Sequence, residues 1–513
     1  MTGFGAGEAA AGGDTAPVER LKAALEAAGW MGLTERQLAA KTGLPPATVP
    51  EGLSQLSLRA PLRRMGRGLW VLGKYAEDPS ARTGIPGPDD YVSRFSRECS
   101  LLPEPYVGDI QFRGNEERPV HRWWPYVQGF SAGFVDRVLE RFGAGPGTRV
   151  LDPFCGSGTV LVQARLRGCA AFGVERMPIA ALAVRAKSHW EASPEDLGRW
   201  ARDVVRLARE GPLAPAPFLS RLHDQFSREA LDSLRRLKAQ LWEVPEGPLR
   251  DLLTVAFASI LVPSSQLKRA PCLGYARKPP VPGGRPFEEF LGTVGRIQED
   301  LRWLASFRER WGPPPVLWAE DAREVKVPAG SMDLAITSPP YVNGMDYVMN
   351  YKLELTWLDM TRSYEELSRL KESMVTCDNV SRRAVAEHRP APDVAEEPWI
   401  RDVVAALRES LRGKEGYRRR DMAELVRRYF DDMYAVLGRV HEALRPGGHF
   451  VVVNGDSLMA GVYIPSDLLL ARLARLRGFR VVRFEPARSR RSGQRRTFRL
   501  RESILTLRKE AGG

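Results

Sequence analysis

The sequence predicts an α/β protein with a doubly wound, mostly parallel sheet, and two stretches carry this prediction. Met332–Ile336 is a short apolar run typical of a buried strand, and T-S-P-P-Y follows it at 337–341. Arg149–Val162 has the pattern of a strand, a glycine-rich turn and a helix. Because ligands bind at the carboxyl ends of the strands in such sheets, both stretches are expected at the functional edge.

The double proline determines how the chain leaves the sheet. Neither Pro339 nor Pro340 has an N–H for a strand ladder, so the strand must end there in a stiff turn. The turn offers the Ser338 hydroxyl, fixed carbonyls and the Tyr341 ring, which suit a flat heterocycle with an amino group. A plain exit from a strand into a loop has the same pattern, so the pentapeptide alone does not define a site.

The glycine-rich turn reads D-P-F-C-G-S-G-T at 152–159. Gly156 and Gly158 let a ligand approach the backbone closely, and the N-terminus of the following helix can receive an anionic group. The turn lacks the dinucleotide-binding spacing G-x-G-x-x-G, and it lacks the G-K-[ST] of a P-loop.

Together, D-P-F-C-G-S-G-T and T-S-P-P-Y resemble motifs I and IV of the S-adenosyl-L-methionine (AdoMet)-dependent amino-methyltransferases of DNA, the N4-cytosine and N6-adenine family. The resemblance implies a seven-stranded Rossmann-like methyltransferase sheet and AdoMet as cofactor. It also implies that Glu175, after the second strand, accepts from the ribose hydroxyls, and that Asp321 and Ala322 meet the adenine. The cofactor-binding residues implied in this way are Phe130, Ser131, Asp152, Pro153, Phe154, Gly156, Ser157, Gly158, Thr159, Glu175, Asp321 and Ala322.

The same resemblance assigns catalysis to Ser338, Pro339, Pro340 and Tyr341. An exocyclic amine is a poor nucleophile because its lone pair is conjugated into the ring, so the enzyme must localise and aim that lone pair. The Ser338 hydroxyl and the Pro339 carbonyl accept the amine hydrogens, Pro340 stiffens the turn, and Tyr341 stacks on a base taken out of the duplex. This chemistry needs no covalent intermediate, so Cys155 is not a nucleophile, and no metal site is predicted.

Within the resembled family, the first residue of the motif favours one base, with adenine N6 kept as the first alternative. Serine there usually accompanies N4-cytosine enzymes in this family, whereas Asp or Asn accompanies N6-adenine, so Ser338 favours cytosine N4. Motif I precedes motif IV here, the reverse of many Ser-Pro-Pro-Tyr enzymes. The order matches the tRNA guanine-N2 methyltransferases, which keeps RNA as an alternative substrate. A non-catalytic winged-helix regulator is the third alternative.

The amino-acid composition indicates which binding partners and which cellular compartment to expect. The 513 residues are 43% hydrophobic, enough for about two or three domains. The net charge of +13 favours a polyanionic partner, although an Arg-rich soluble protein without one has the same charge. Five scattered cysteines and no membrane-length apolar run favour the reducing cytoplasm. Composition therefore predicts a polyanionic partner and no membrane. The resemblance to DNA amino-methyltransferases implies DNA as that partner, with RNA second, and a nuclease as a candidate restriction–modification partner.

The chain divides into an N-terminal unit and an interrupted core. Three helical patterns and a basic hairpin resemble a winged helix, which binds DNA or docks a protein. The insertion after the second strand is a candidate for target recognition, a helical buttress or a dimer surface, and Arg488–Arg496 is a loop suited to phosphates. The predicted segments are a disordered 1–16, a winged-helix-like 17–75, a linker 76–115, core 116–190, a helical insertion 191–311, and core 312–513 with a charged helical insertion at 361–428.

Overall fold

The structure is a computed structural model of the chain. It describes residues 16–28, 33–65, 69–72, 88–108, 110–126, 129–269, 272–377, 380–412, 419–491 and 499–510. Within these ranges, no helix is long and apolar enough to cross a membrane.

The N-terminal unit has the elements predicted for 17–75. Its helices are α1 (Ala16–Ala28), α2 (Glu35–Thr42) and α3 (Val49–Arg59), and its antiparallel sheet has the order β1 (Leu33–Thr34), β3 (Leu69–Leu72), β2 (Leu62–Met65). A capping box starts α2, because the Thr34 side chain accepts from Gln37 N and Gln37 caps Thr34 in return. The unit has its own small apolar core. The predicted disordered segment 1–16 lies outside the described residues, apart from Ala16.

The remaining elements form the core and its insertions. The helices are α4 (Pro88–Cys99), α5 (Ala132–Arg141), α6 (Thr159–Leu166), α7 (Pro178–Ala186), α8 (Pro194–Ala208), α9 (Leu222–Gln225), α10 (Arg228–Trp242), α11 (Pro248–Ile260), α12 (Arg285–Ala305), α13 (Tyr347–Asn350), α14 (Lys352–Trp357), α15 (Tyr364–Ser373), α16 (Arg382–Glu387), α17 (Pro392–Glu396), α18 (Pro398–Leu411), α19 (Met422–Ala443) and α20 (Ser466–Leu476). The strands are β4 (Arg149–Asp152), β5 (Ala170–Val174), β6 (Leu267–Arg269), β7 (Leu273–Tyr275), β8 (Val316–Trp318), β9 (Met332–Thr337), β10 (Leu444–Gly455), β11 (Ser457–Met459), β12 (Val462–Ile464), β13 (Phe479–Arg491) and β14 (Arg499–Lys509).

A seven-stranded sheet organises the core, in the order β13-β14-β10-β9-β4-β5-β8. Neighbouring strands from β10 to β8 pair in parallel, and β14 runs antiparallel to both of its neighbours. The predicted mostly parallel α/β sheet is therefore confirmed. Later strands of the chain are added to the sheet outward from β4 on one side and outward from β9 on the other. Ligands of such sheets bind where the strand order reverses, so the ligand crevice is expected between β4 and β9.

Successive residues of the central strands enter different apolar cores, as expected for a sheet covered on both faces. Val150 and Leu334 pack in the core that contains α5 and α6. Leu151 and Ala335 pack in the core that contains α19 and α20. The insertion at 191–311 is helical as predicted, and α8 and α10–α12 build a third core together with α7 and α14.

Helices of two predicted segments pack into the main core, and this corrects the prediction of a linker. The predicted linker 76–115 contains α4, whose Tyr91 and Phe95 are buried in the main core, so this part is not a linker. Tyr91 and Phe95 lie one helical turn apart, and the polar residues around them hid this apolar stripe in the sequence. The described part of the insertion at 361–428 is helical, and α18 buries Trp399 and Leu407 in the same core.

One buried carboxylate fixes the segment that precedes the glycine-rich turn. Asp300 on α12 is 1% exposed and accepts from Val120 N and Trp123 Nε1, each at 2.8 Å, and from Arg122 Nη2 at 2.7 Å. This ties residues 120–123 to the helical insertion.

Asp300→Ala should lower the free energy of unfolding by about 3 kcal/mol, because it leaves buried donors without an acceptor. Asp203→Ala is the matched control, since Asp203 pairs with Arg206 on an exposed helix face. Its effect should stay within about 0.5 kcal/mol. Denaturant unfolding measures both, and equal effects would contradict the assigned role of Asp300.

Candidate active site

A side-chain hydrogen bond joins the carboxyl ends of the two central strands. Asp152 ends β4 and Thr337 ends β9, and Thr337 Oγ1 donates to Asp152 Oδ1 at 2.6 Å. The two strands pair in parallel at Val150–Leu334 and Leu151–Ala335. The glycine-rich turn and the double-proline turn therefore leave the same edge of the sheet, side by side.

The glycines of the first turn are required by backbone conformation and by space. Gly156 and Gly158 have φ of +51° and +83°, in the left-handed region that favours glycine. A Cβ at Gly156 would lie 3.0 Å from the Tyr126 ring, and one at Gly158 would lie 3.1 Å from Val184 Cγ2. The turn is supported from within the protein, because the buried Lys187 ammonium donates to the Ser157 carbonyl at 3.1 Å.

A cleft of about 680 Å³, here called the glycine-turn cleft, opens beside this turn. Residues predicted from the sequence that line it are Phe130, Asp152, Phe154, Gly156, Ser157, Thr159, Glu175, Ser338 and Pro340. Residues that line it without having been predicted are Tyr126, Gly129, Cys155, Met177, Tyr347, Tyr351 and Met374. Burial raises the pKa of the Cys155 thiol well above its usual range, so the thiol stays protonated.

An adjoining pocket of about 340 Å³ shares Phe154 and Glu175 with the glycine-turn cleft and is also lined by Pro153, Asp321 and Ala322. The Asp321 carboxylate is already paired with Arg323, whose Nε lies 3.0 Å from Asp321 Oδ1. A ligand amino group would therefore share this carboxylate with the guanidinium.

Two other predicted residues lie beside the clefts rather than among the residues that line them. Ser131 caps α5, where its hydroxyl accepts from Phe134 N at 3.0 Å. Gly158 lines neither cleft, and its role is to let the backbone of the glycine-rich turn adopt a positive φ.

Two buried carboxyl groups face the glycine-turn cleft. Glu175 accepts from the N–H groups of Gly156 and Met177, each at 2.7 Å, and burial raises its pKa to about 7. Asp152 accepts from Thr337 and from Phe154 N, and burial likewise raises its pKa to about 7. Carboxyl acceptors, aromatic walls and an open backbone turn fit the hydroxyl and amino groups of a nucleoside ligand.

A second cleft of about 1060 Å³, here called the double-proline cleft, holds the rest of the motif. Ser338, Pro339 and Tyr341 line it, together with residues that β13 and β14 supply. Its boundary with the glycine-turn cleft is formed by residues that line both, namely Gly129, Phe130, Ser338 and Tyr347. Ser338 thus lies where the two clefts meet.

Charged residues of β13 and β14 surround the Tyr341 ring. The Tyr341 hydroxyl donates to Glu502, which is also paired with Arg488, and the Arg490 guanidinium lies 5.9 Å from the ring centroid. A Cβ at Gly455 would lie 3.0 Å from Tyr341 Cε2, so the ring packs closely against that backbone. Arg488 and Arg490 belong to β13, which corrects their prediction as loop residues, and 492–498 lie outside the described residues.

Three of the seven residues of the glycine-turn cleft that were not predicted from the sequence are tyrosines. Tyr126 and Tyr351 stack with ring centroids 5.6 Å apart and an angle of 7° between their planes. The Arg269 guanidinium covers Tyr351 at 4.4 Å and pairs with the buried Glu354. The aromatic run at 123–126 is visible in the sequence, but its partner lies more than 200 residues away along the chain.

Comparison with known proteins finds similarity to methyltransferases. No family model matches the chain. The chain is 24% identical over 418 residues to the type II methyltransferase M.BsoBI of Geobacillus stearothermophilus, covering 73% of this chain and 81% of that protein. It is 22% identical over 409 residues to M.AvaI of Nostoc sp. strain PCC 7120, covering 72% and 81%. It is 22% identical over 352 residues to M.MvaI of Kocuria varians, covering 63% and 74%.

The raised pKa of Glu175 predicts how Glu175→Gln changes stability with pH. A carboxyl whose pKa is higher in the folded state stabilises the fold at low pH, and this contribution is lost as the pH rises through about 7. The wild type minus Glu175→Gln difference in unfolding free energy should therefore fall by about 3 kcal/mol between pH 4 and pH 8. Denaturant unfolding of both proteins across this range measures it, and a constant difference would contradict the assignment.

Proposed function

We propose that the protein is an AdoMet-dependent, site-specific DNA methyltransferase that methylates an exocyclic amino group, cytosine N4. The observation that carries the proposal is the shared wall between the two clefts, where Ser338 faces both. One cleft fits a nucleoside cofactor and the other presents the double-proline turn. The similarity to three type II methyltransferases supports the same class of reaction.

AdoMet supplies an activated methyl group when it is bound. In this proposal the glycine-rich turn and Glu175 hold its ribose and methionine parts, and the pocket at Pro153, Asp321 and Ala322 takes its adenine. The chain contributes acceptors that are already positioned by backbone N–H groups, so their orientation costs little on binding.

The double-proline turn acts on the target amine. The Ser338 hydroxyl oxygen and the Pro339 carbonyl accept its two hydrogens, which localises the nitrogen lone pair and directs it toward the glycine-turn cleft. Within the described part of the chain, no group donates a hydrogen bond to the Pro339 carbonyl, so that carbonyl is free for this role. The target base must leave the duplex to reach the turn.

The choice of cytosine as the target base and the choice of DNA over RNA rest on separate features. Ser338 at the first motif position supports cytosine N4 over adenine N6. The type II methyltransferase relatives support DNA over RNA. We assign target recognition to the 191–311 insertion, because its β6–β7 hairpin reaches the wall of the glycine-turn cleft through Arg269, whose guanidinium lies 4.4 Å from the centroid of the Tyr351 ring.

The direct test is methyl transfer from labelled AdoMet to unmethylated duplex DNA and, separately, to tRNA, followed by nucleoside mass spectrometry. We expect N4-methylcytosine in DNA. N6-methyladenine would overturn the assigned base alone, label confined to tRNA would overturn the DNA assignment, and no transfer to any nucleic acid would overturn the function.

Ser338→Ala should lower kcat for DNA methylation at least 100-fold, about 3 kcal/mol, while the Kd of AdoMet stays within threefold. The reason is that Ser338 acts on the amine. Ser331→Ala is the control, because Ser331 lies before β9 at the opposite end of the strand and contacts the Pro328 carbonyl. A parallel loss of AdoMet binding in Ser338→Ala would contradict this division of roles.

Glu175→Ala should raise the Kd of AdoMet at least tenfold, about 1.4 kcal/mol, because it removes the buried carboxyl acceptor assigned to the ribose. Isothermal titration measures the change. An unchanged Kd would remove Glu175 from the binding site.

A further inference from the structure

The double-proline turn is held by a tyrosine that lies outside both motifs. Tyr429 on α19 is fully buried, and its hydroxyl donates to the Pro340 carbonyl at 2.8 Å. Asn454, near the end of β10, is also fully buried and donates from Nδ2 to the Tyr429 hydroxyl at 3.3 Å. Neither residue is among those that line the two clefts.

The direction of this hydrogen-bond chain is set by the number of hydrogens. A phenol has one hydrogen to donate, and its oxygen can accept at the same time. Because the Asn454 amide donates to that oxygen, the Tyr429 hydrogen is directed to the Pro340 carbonyl. Burial raises the pKa of Tyr429 above its usual range, so the hydroxyl keeps this hydrogen at any pH of interest.

The turn needs an external donor because of its composition. Pro339 and Pro340 have no N–H, so the turn cannot be stiffened by their own amides, and its carbonyls must be oriented from outside. Tyr429 fixes the carbonyl of Pro340, whereas the adjacent carbonyl of Pro339 accepts from none of the described residues. One carbonyl of the turn is thus held and its neighbour is left open.

We propose that Tyr429, oriented by Asn454, is a positioning residue for methyl transfer. By holding the Pro340 carbonyl, it keeps the Pro339 carbonyl and the Ser338 hydroxyl aligned for the target amine. This inference rests on the proposed function. It assigns Tyr429 an effect on kcat, since the residue contacts the turn rather than cofactor or base.

The test compares wild type with Tyr429→Phe, which removes the hydroxyl and keeps the ring. We expect kcat for DNA methylation to fall about 10- to 100-fold, while the KM for DNA and the Kd of AdoMet stay within threefold. Tyr434→Phe is the matched control, because Tyr434 lies on the same helix and donates to Asp393. The control should keep kcat within twofold. Both variants should lower the melting temperature by about 2–4 °C, because each loses one hydrogen bond of a tyrosine hydroxyl.

Asn454→Leu tests the hydrogen bond from Tyr429 to the Pro340 carbonyl without changing the tyrosine itself. Loss of the amide donor frees the tyrosine hydroxyl to turn, so kcat should fall about three- to tenfold. The double variant should be no slower than Tyr429→Phe, because Asn454 acts through the tyrosine.

The outcomes separate the inference from the function. An active wild type with an unchanged kcat in Tyr429→Phe would overturn the inference alone. An equal kcat loss in Tyr434→Phe, or a loss of AdoMet binding in step with kcat, would also overturn it by showing a general structural effect. A wild type that methylates no nucleic acid would overturn both.

Discussion

The hydrogen bond between Thr337 and Asp152 is the contact on which the arrangement of the site depends. It joins the last side chains of β9 and β4 across the point where the strand order diverges. Two turns with no shared sequence signal are thereby held at one sheet edge. If these strands were separated by another strand, the glycine-turn cleft and the double-proline cleft could not share the wall at Ser338.

Both turns are irregular backbone held by buried polar side chains. Lys187 and Glu175 contact the glycine-rich turn, and Tyr429 contacts the double-proline turn. Burial of these groups opposes their charged forms, which raises the pKa of Glu175 and lowers that of Lys187, each to about 7. Such perturbed groups around a cleft are typical of functional sites, where stability is given up for pre-organised acceptors.

The parts of the fold that the sequence predicted are those with local signals. A strand followed by glycines, or by two prolines, can be recognised within about ten residues because the backbone itself imposes the turn. Strands β4 and β9 and the edge they share follow from such patterns. The N-terminal helices and hairpin follow in the same way, since Thr34 and Gly43 mark the ends of α2.

The parts that could not be predicted depend on contacts between distant residues. Glu502 reaches Tyr341 from the last strand, 161 residues further along the chain, and a lone acid in a strand gives no indication of its partner. The sequence predicts that Arg488 and Arg490 bind phosphates, yet in the structure Arg488 pairs with Glu502 and Arg490 donates to the Asp456 carbonyl. Charge density in a sequence does not distinguish internal pairing from an external partner.

The most direct test of the account is a crystal structure of the protein with S-adenosyl-L-homocysteine. The account predicts the ribose in the glycine-turn cleft with its hydroxyls on Glu175, and the adenine in the adjoining pocket lined by Asp321 and Ala322. It also predicts that the sulfur is directed at the wall formed by Ser338 and Phe130. Density for the ligand elsewhere, or a sulfur directed away from the double-proline turn, would contradict the claim that the two clefts form one active site.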